Sequence, residues 1–256
     1  MDLNLSGKRV LVTGGNSGLG KAICEAFALE GASIAMNYIV DPEKTEQILG
    51  DIVRKNGIAG VAVKADVTDE DQVRLMFDEA EAALGGRIDI LVNNAGICPV
   101  TMILDTSYEV WKKVMDVNVN AIFLTSKEFA KRRIESGGGG KITNIVSQAA
   151  FNGSKRGKTH YSTSKGAAVS FTISFAKEVA QHRIFVNGVA PGMIFTEMTR
   201  ETLLEKGEVE KYNASIPVGR IASAEEIADS VLFISSDVAS YSTGSIFDVT
   251  GGLMSR

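Results

Sequence analysis

Short apolar runs alternate with longer segments of helical periodicity along almost the whole chain. The first run, Lys8 to Val12, leads through a glycine-rich turn into a segment in which Ile23 and Phe27 repeat at helical spacing. Runs too short to be helices, separated by helices, are typical of buried parallel strands joined by right-handed crossovers. The alternation therefore predicts an α/β fold, with a doubly wound parallel sheet and helices on both of its faces.

The same alternation sets the expected bounds of the later elements. Further strands are predicted at 32–37, 61–65, 88–93, 141–147, 183–190 and 245–250. Helices are predicted at 42–56, 69–84, 107–135, 161–181 and 224–235.

The chain is predicted to form a single domain over residues 1–256. The glycine run 137–140 could be a linker, but the alternation crosses it without a change of composition, so we interpret it as a loop. The longest irregular stretch, 194–219, is expected to form a mobile flap over a site.

Composition and charge limit the classes of function. The hydrophobic fraction of 45% is ordinary for a folded globular protein. The formal charge is -4, from 27 basic and 31 acidic residues, which argues against a nucleic-acid partner. The first residues do not have the pattern of a secretory signal and no later stretch has the length of a membrane span, so we expect a cytoplasmic protein. Two cysteines and two histidines, without ligand spacing, predict no metal site.

The segment TGGNSGLG, Thr13 to Gly20, lies between the first predicted strand and the first predicted helix. At such a position backbone N–H groups and the positive end of a helix can bind a pyrophosphate. Glycine at positions 14, 18 and 20 permits a tight turn and a close approach of backbone to phosphate. The turn favours a dinucleotide cofactor and a Rossmann-like sheet, although its spacing differs from the general G-x-G-x-x-G fingerprint.

Tyr161 and Lys165 are one helical turn apart in HYSTSKGAA, residues 160–168. If the segment is helical, their side chains share a face and their polar ends can converge. Tyrosine has an ordinary pKa of about 10 and is a poor base at neutral pH. A nearby ammonium favours the phenolate, which is the physical case for Lys165 beside Tyr161. Taken alone, such a pair is more often just two solvated residues on a helix surface.

Several further motifs occur in a fixed order around these two. They are DV at 66–67, NNAG at 93–96, Asn118, Ser147 and PGMIFT at 191–196. With the glycine turn and the Tyr-x-x-x-Lys pair, they make the chain resemble the short-chain dehydrogenase/reductase family over essentially its whole length. Each motif alone has a plain structural explanation, such as a polar strand end for Ser147 or a helix cap for Asn118 and Asp66.

The resemblance implies a catalytic set of Ser147, Tyr161, Lys165 and Asn118. Tyr161 would remove the substrate's hydroxyl proton, and Ser147 would hydrogen-bond the substrate oxygen. Lys165 would also bind the nicotinamide ribose, and Asn118 would hold a water that links Lys165 to solvent. The expected reaction is hydride transfer between a nicotinamide and a secondary alcohol or ketone.

The resemblance also implies a cofactor site of NAD or NADP. Asp66 is expected to accept from the adenine or from a nearby backbone amide, while Asn93 and Asn94 are expected to tie strands together. The predicted cofactor contacts are Gly14, Asn16, Ser17, Gly18, Leu19, Gly20, Asn37, Asp66, Val67, Asn93, Ala95, Gly96, Tyr161, Lys165, Pro191, Gly192, Ile194 and Thr196.

The choice between NAD and NADP is expected at the end of the second strand. There an acid binds the ribose hydroxyls of NAD, or a base binds the 2′-phosphate of NADP. This chain has neutral Asn37, followed by Tyr38 and Ile39, and its glycine turn carries Asn16 and Ser17 instead of a basic residue. The absence of a cation at these positions favours NAD.

The sequences NNAGICP and THY resemble those of sugar 1-dehydrogenases in the same family, which favours a sugar or polyol substrate. Acyl-carrier-protein ketoreductases share most of the motifs and are the second hypothesis. Predicted substrate contacts are Ser147, Tyr161, Cys98, Met193 and His160; for His160 a packing role is favoured over that of a second base.

The loop between Ser147 and Tyr161 carries Lys155, Arg156 and Lys158. These cations could simply be solvated, or they could contact an anionic substrate such as an acidic sugar or a carrier phosphopantetheine.

A catalytically silent cofactor-binding regulator is the alternative from another class. The intact Ser147, Tyr161 and Lys165 argue against it. The resemblance implies a homotetramer, but Thr250 occupies a place where the family commonly has an acid, near a usual subunit contact, and this weakens that expectation.

Overall fold

The computed structural model describes residues 2–154, 157–196, 199, 203–204 and 207–254. Its strands are β1 (Arg9–Val12), β2 (Ser33–Tyr38), β3 (Gly60–Lys64), β4 (Ile90–Asn93), β5 (Gly140–Ile145), β6 (Ile184–Pro191) and β7 (Ile246–Val249). They form a seven-stranded sheet in the order β3-β2-β1-β4-β5-β6-β7. Every pairing is parallel, with Val10 opposite Ile34 on one side and Ile90 on the other. The predicted fold class is confirmed.

The helices that connect the strands cover both faces of the sheet. They are α1 (Gly18–Leu29), α2 (Pro42–Asn56), α3 (Glu70–Ala83), α4 (Tyr108–Met115), α5 (Ala121–Glu135), α6 (Ala149–Asn152), α7 (Thr159–Val179), α8 (Val209–Ser215) and α9 (Ala224–Ser235). In the part of the chain that the structure describes, no helix is both long and apolar enough to cross a membrane.

The packing follows from the alternation of side chains along each strand. In β1, Val10 and Val12 belong to a buried cluster that includes Ile23 and Phe27 of α1. Leu11, between them, faces a second cluster on the other side of the sheet. Because both faces of the sheet are buried, the three residues after Arg9 in β1 are all apolar and do not alternate with polar residues.

Most predicted bounds agree with the structure within two residues, and the bounds of α2 and α9 agree fully. The predicted helix 107–135 is interrupted by a π-helical turn, Asp116–Asn120. Strand β5 ends at Ile145, because the chain turns there toward α6. The stretch 194–219 was expected to be irregular, and this is wrong for Val209–Ser215, which is helical.

A chain of buried hydrogen bonds joins the middle strands to the helices on one face. The Asn93 amide nitrogen donates to Ser126 Oγ at 3.0 Å and to Asn144 Oδ1 at 2.8 Å. Thr125 Oγ1 donates to Asn93 Oδ1 at 2.7 Å, and Asn144 Nδ2 donates to Thr172 Oγ1 at 2.8 Å. Since Asn93 ends β4 and Asn144 lies in β5, the network fixes α5 and α7 beside the carboxyl ends of these strands.

Replacing Asn93 with alanine is expected to lower the free energy of unfolding by about 3 kcal/mol, because buried partners in this network lose their hydrogen bonds. Urea unfolding followed by circular dichroism measures the change. Asn120→Ala is the matched control, since the exposed Asn120 side chain bonds only to Asp116 among the described residues, and its effect should stay within about 0.5 kcal/mol. Equal losses in the two variants would contradict this role of Asn93.

Candidate active site

The candidate site lies at the carboxyl edge of the sheet. Strand β1 pairs with β2 on one side and with β4 on the other, so the chain leaves β1 and β4 in opposite directions. A crevice forms where connections diverge in this way, and ligands of open α/β sheets bind there. The glycine turn follows β1 and the segment 93–96 follows β4, so two predicted motifs meet at the crevice.

The glycine turn is shaped by backbone crowding. Gly14 has a φ of +60° and Gly18 a φ of +48°, a region that favours glycine. A Cβ atom at Gly20 would lie 2.1 Å from the Gly14 carbonyl oxygen, so no larger residue fits there. The turn is therefore built to bring its own backbone against the start of α1.

Side chains from neighbouring strands fix the turn in place. Asn94 Nδ2 donates to the carbonyl oxygens of Thr13 and Gly14 at 3.0 and 3.1 Å. The Thr13 hydroxyl accepts from the backbone N–H groups of Asn94 and Ala95, both at 3.0 Å. The Gly14 N–H donates to Asn37 Oδ1 at 3.2 Å. Because these bonds cross three strands, the turn is preorganised.

The turn fits a dinucleotide phosphate. Helix α1 begins at Gly18, and Ser17 at its N-cap is exposed and accepts no capping hydrogen bond from the helix. The first N–H groups of a helix have no partner within it, and its amino end carries positive partial charge. Leu19 is buried and anchors the helix beneath the turn. These groups could hold a pyrophosphate against the backbone of residues 14–20.

The predicted cofactor residues of the segment 191–196 lie between the end of β6 and the glycine turn. Thr196 comes close to the turn, since a Cβ at Gly18 would lie 3.5 Å from the Thr196 Cβ. Pro191 ends β6, Gly192 lies against the backbone of Thr250, and Ile194 pairs with Ala222. The segment 191–196 therefore runs from the sheet edge to the glycine turn.

Two of the predicted cofactor contacts, Asn37 and Asn16, form hydrogen bonds within the protein. Asn37 is buried, and its amide nitrogen donates to the carbonyl oxygens of Val63 and Ala65 at 3.3 and 3.0 Å. Asn16 Nδ2 donates to the Val40 carbonyl oxygen at 3.1 Å and to Thr45 Oγ1 at 2.9 Å. Asn37 and Asn16 thus stabilise the loops around the crevice.

Asp66 and Val67 follow β3. The Asp66 carboxylate accepts from the Thr68 N–H and hydroxyl at 2.9 and 2.7 Å, while Val67 is buried in the core. Asp66 therefore accepts from a nearby backbone amide, one of the two expected partners. The alternative interpretation as a helix cap does not hold, because Asp69 caps α3.

Ser147, Tyr161 and Lys165 converge beyond the carboxyl end of β5. The Ser147 hydroxyl lies close enough to the Tyr161 phenol to lower its pKa. Lys165 Nζ lies 5.8 Å from the centre of the Tyr161 ring and donates to the Ile145 carbonyl oxygen at 2.7 Å. Both residues are on α7, one turn apart, as the spacing predicted. The strand end therefore fixes the lysine, and the helix places the tyrosine above it.

Burial dominates the acid–base properties of this pair. It raises the pKa of Tyr161 to about 12, against a smaller lowering effect of the hydrogen bond with Ser147. Burial also lowers the pKa of Lys165 to about 8. The Tyr161 pKa is therefore raised and not lowered as predicted, because the low-dielectric site disfavours the charged form of each group.

Asn118 lies in the π-helical turn Asp116–Asn120 and is buried. Its amide donates to the Ile97 carbonyl oxygen at 2.9 Å and to Ser164 Oγ at 3.0 Å, and its oxygen accepts from the Ile97 N–H at 2.8 Å. A Cβ on Gly96 would lie 3.3 Å from Asn118 Oδ1 and 3.6 Å from Lys165 Nζ. Glycine at position 96 therefore keeps the space between Asn118 and Lys165 open.

The predicted substrate contacts differ in exposure. Cys98 is half-buried, and burial raises the pKa of its thiol while the nearby charges of Lys158 and Lys165 lower it. Met193 lies on the segment 191–196 and is half-buried. Lys155 and Arg156 lie outside the described residues.

His160 is fully buried, and its Nδ1 accepts from the Tyr161 N–H at 2.7 Å. Burial lowers the pKa of His160, so the ring is neutral at physiological pH. These features agree with a packing role. They do not favour a second base.

Comparison with known proteins identifies the family. A family model described as Enoyl-(Acyl carrier protein) reductase matches residues 14–254. The chain belongs to the short-chain dehydrogenase/reductase family. It is 38% identical over 253 residues to the 3-oxoacyl-(acyl-carrier-protein) reductase of Aquifex aeolicus, covering 99% of this chain and 100% of that one. It is 37% identical over 261 residues to the glucose and ribitol dehydrogenase homolog of Oryza sativa subsp. japonica, covering 98% and 87%.

A solved structure in this family has the same fold. The L-sorbose reductase of Gluconobacter frateurii, complexed with NADPH and L-sorbose, superposes with a TM-score of 0.94 at 30% identity, and each chain is covered fully. The family resemblance predicted from the motifs is confirmed.

Sequence reasoning missed part of what supports this short-chain dehydrogenase/reductase site. Thr13 was not singled out, although its hydroxyl joins the glycine turn to the segment after β4. Ser164, which donates to the Tyr161 carbonyl oxygen at 2.7 Å and accepts from Asn118, was also missed. The signal for Ser164 was its position on the inward stripe of α7, four residues from His160 and from Ala168.

Proposed function

We propose that this protein is an NAD(P)-dependent oxidoreductase that transfers a hydride between a nicotinamide and a secondary alcohol or ketone, with a sugar or polyol as its substrate. The observation that carries the proposal is the convergence of Ser147, Tyr161 and Lys165 beside a preorganised glycine turn. Family membership supports it, since the matched relatives are named as reductases and dehydrogenases.

In the direction of alcohol oxidation, Tyr161 Oη takes the hydroxyl proton of the substrate. When bound, an oxidised nicotinamide supplies the hydride acceptor and a positive charge near this phenol. The Ser147 hydroxyl donates to the substrate oxygen and stabilises the charge that develops there. Because the Ser147 and Tyr161 hydroxyls lie close together, one substrate oxygen can contact both of them.

Lys165 positions the reaction and supplies positive charge. Its bond to the Ile145 carbonyl oxygen holds the ammonium at the strand end and leaves other donor hydrogens for the nicotinamide ribose. With a pKa of about 8, Lys165 is mostly protonated at neutral pH and favours the phenolate form of Tyr161.

We further propose that Asn118 supports the exit of the proton. Both amide hydrogens of Asn118 are used by Ile97 and Ser164, while Oδ1 accepts one bond and keeps a second acceptor site for a water. Single π turns interrupt the regular backbone hydrogen bonds of a helix and occur often at functional sites. A water on the backbone of this turn could receive the proton from Lys165 across the space beside Gly96.

A β-ketoacyl thioester is the second candidate substrate. Three apolar side chains are exposed on the loop that follows β4: Val100, Met102 and Leu104. In this loop the Thr101 N–H donates to the carbonyl oxygen of Gly157, which lies in the loop between Ser147 and Tyr161. An apolar rim of this kind suits an acyl chain better than a sugar. The Aquifex aeolicus reductase also supports this alternative.

The end of β2 supports a preference for NAD. Ile39 and Val40 are exposed at 52% and 60%, and neither can pair with a 2′-phosphate. Placing a doubly charged phosphate against this apolar surface would also remove water from the phosphate, which costs free energy.

We expect kcat/KM to be at least about tenfold higher with NAD than with NADP, a free-energy difference of about 1.4 kcal/mol. Steady-state rates with each cofactor measure the ratio, and equal values would contradict the preference.

We propose a cytoplasmic homotetramer. Exposed apolar side chains on the outer faces of α5 and α7, among them Phe123, Ile134 and Ile173, support association of copies of the chain. Thr250, which occupies the place where the family commonly has an acid, is buried. Its hydroxyl accepts from the Met254 N–H at 3.2 Å, so a side chain still closes the turn at residues 250–254. Sedimentation equilibrium is expected to give the mass of four chains, and a monomer would contradict the assembly.

Replacing Tyr161 with phenylalanine is expected to lower kcat at least a thousandfold, because the proton acceptor is lost while the ring remains. Binding of the reduced cofactor, followed by its fluorescence, should change less than about threefold. Tyr108→Phe is the control, since Tyr108 is exposed on α4 and should not affect turnover. Persistent turnover in the Tyr161 variant would contradict the assignment.

A further inference from the structure

A polar cavity lies at the amino edge of the sheet, opposite the candidate active site. Its volume is about 260 Å³, and it opens where β4, β5 and β6 begin. Its charged lining consists of Lys8, Arg133, Lys141 and Arg183, with Asp89 and Asp237. Four cationic side chains face two carboxylates, so the lining carries an excess of positive charge.

Two of the cations already have carboxylate partners. Lys8 pairs with Asp237 at 3.4 Å, and Arg133 pairs with Asp89 at 3.0 Å. Within the part of the chain that the structure describes, Lys141 and Arg183 form no ion pair. The positive excess of the cavity is therefore concentrated on Lys141 and Arg183.

Lys141 is the unusual member of this set because it is only 7% exposed. Its Nζ lies 3.5 Å from the Ala239 carbonyl oxygen and 4.4 Å from the centre of the Phe185 ring. A weak hydrogen bond and a cation–π contact compensate only part of the loss of water around an ammonium. Burial lowers the pKa of Lys141, and Asp237, which pairs with Lys8, offsets only part of this effect. Buried charges are normally paired, and Lys141 has no carboxylate in direct contact among the described residues.

Arg183 is held at the rim by an uncommon backbone conformation. It has a φ of +58°, in the left-handed region that non-glycine residues rarely adopt. The Gly140 N–H donates to the Arg183 carbonyl oxygen at 3.1 Å, and a Cβ on Gly139 would lie 2.6 Å from that oxygen. The glycine run 137–140 thus allows close contact with Arg183 and keeps the rim in a fixed shape.

Helix ends explain some of these cations but not all of them. Helix α5 ends at Glu135, and Arg133 in its last turn offsets the negative partial charge of the helix end. Lys141 lies on a strand, so it is not part of a helix end. Its burial beside an open cavity needs another explanation.

We propose that this cavity binds a small phosphate-bearing anion between Lys141 and Arg183, at a site separate from the candidate active site. The guanidinium fork of arginine matches two oxygens of a phosphate, and a lysine ammonium adds a compact point charge. The positive excess suits a doubly charged anion. The volume admits one phosphate group with a small organic substituent.

The test is a thermal unfolding titration with inorganic phosphate, at constant ionic strength maintained with sodium chloride. Saturating NAD keeps the glycine turn occupied, so that phosphate binding there does not contribute. The Tm of the wild-type protein should rise with phosphate and reach a plateau, as expected for a ligand that binds the folded state. In Lys141→Met the apparent Kd should rise at least tenfold. Lys127→Met is the matched control, because Lys127 also lies over an aromatic ring but far from the cavity, and it should respond like wild type.

A second variant guards against misfolding of the first. Arg183→Gly removes the guanidinium at a φ that glycine adopts without strain, and it should also weaken the response to phosphate at least tenfold. An equal rise of Tm in wild type and both cavity variants would overturn the proposal, because it would indicate general salt stabilisation. A glucose 6-phosphate titration of wild type and Lys141→Met distinguishes the source of the anion, since only binding that weakens in the variant belongs to this cavity. Tighter binding than inorganic phosphate indicates a phosphorylated metabolite, and tighter binding of inorganic phosphate indicates the free ion.

Discussion

Because all seven strands run in one direction, their carboxyl ends emerge at a single edge of the sheet. The turn after β1, the segment after β4 and the strand end at Ile145 therefore meet without long connections. The side-chain amides of Asn93 and Asn94 fix these segments relative to one another. Asn93 bonds β4 to β5 and to α5, and Asn94 bonds the segment after β4 to the glycine turn. The relative position of the glycine turn and α7 follows from the parallel pairing of the strands together with the hydrogen bonds of these two amides.

The sequence predicted elements with strong periodicity or clear boundary residues. Helix α2 begins at Pro42 and ends before Gly57, residues that favour those positions, and its bounds agreed fully. The π turn at Asp116–Asn120 could not be predicted, because no local residue pattern distinguishes it from a regular helix. Helix α8 has only seven residues and too few apolar positions to establish a period.

In the candidate site, spacing predicted that Tyr161 and Lys165 share a helix face, and motif order predicted Ser147 as their neighbour. The internal roles of Asn37 and Asn16 were not predictable, since their hydrogen bonds depend on strands and loops distant in sequence. The direction of the Tyr161 pKa shift was also not predictable, because it is set mainly by burial, and burial is a property of the whole fold. Residue type and spacing thus predicted which side chains meet better than they predicted the pKa values of those side chains.

The central claim is hydride transfer with a sugar or polyol. It is tested most directly by the rate of nicotinamide reduction, followed at the absorbance band of the reduced cofactor, with purified protein and a panel of neutral aldoses, acidic sugars and polyols. The account predicts saturable turnover with at least one member of the panel. Reduction of a β-ketoacyl thioester in the reverse assay, without turnover of any sugar or polyol, would contradict the substrate class. Silence in both assays, with cofactor still bound, would contradict the enzymatic function itself.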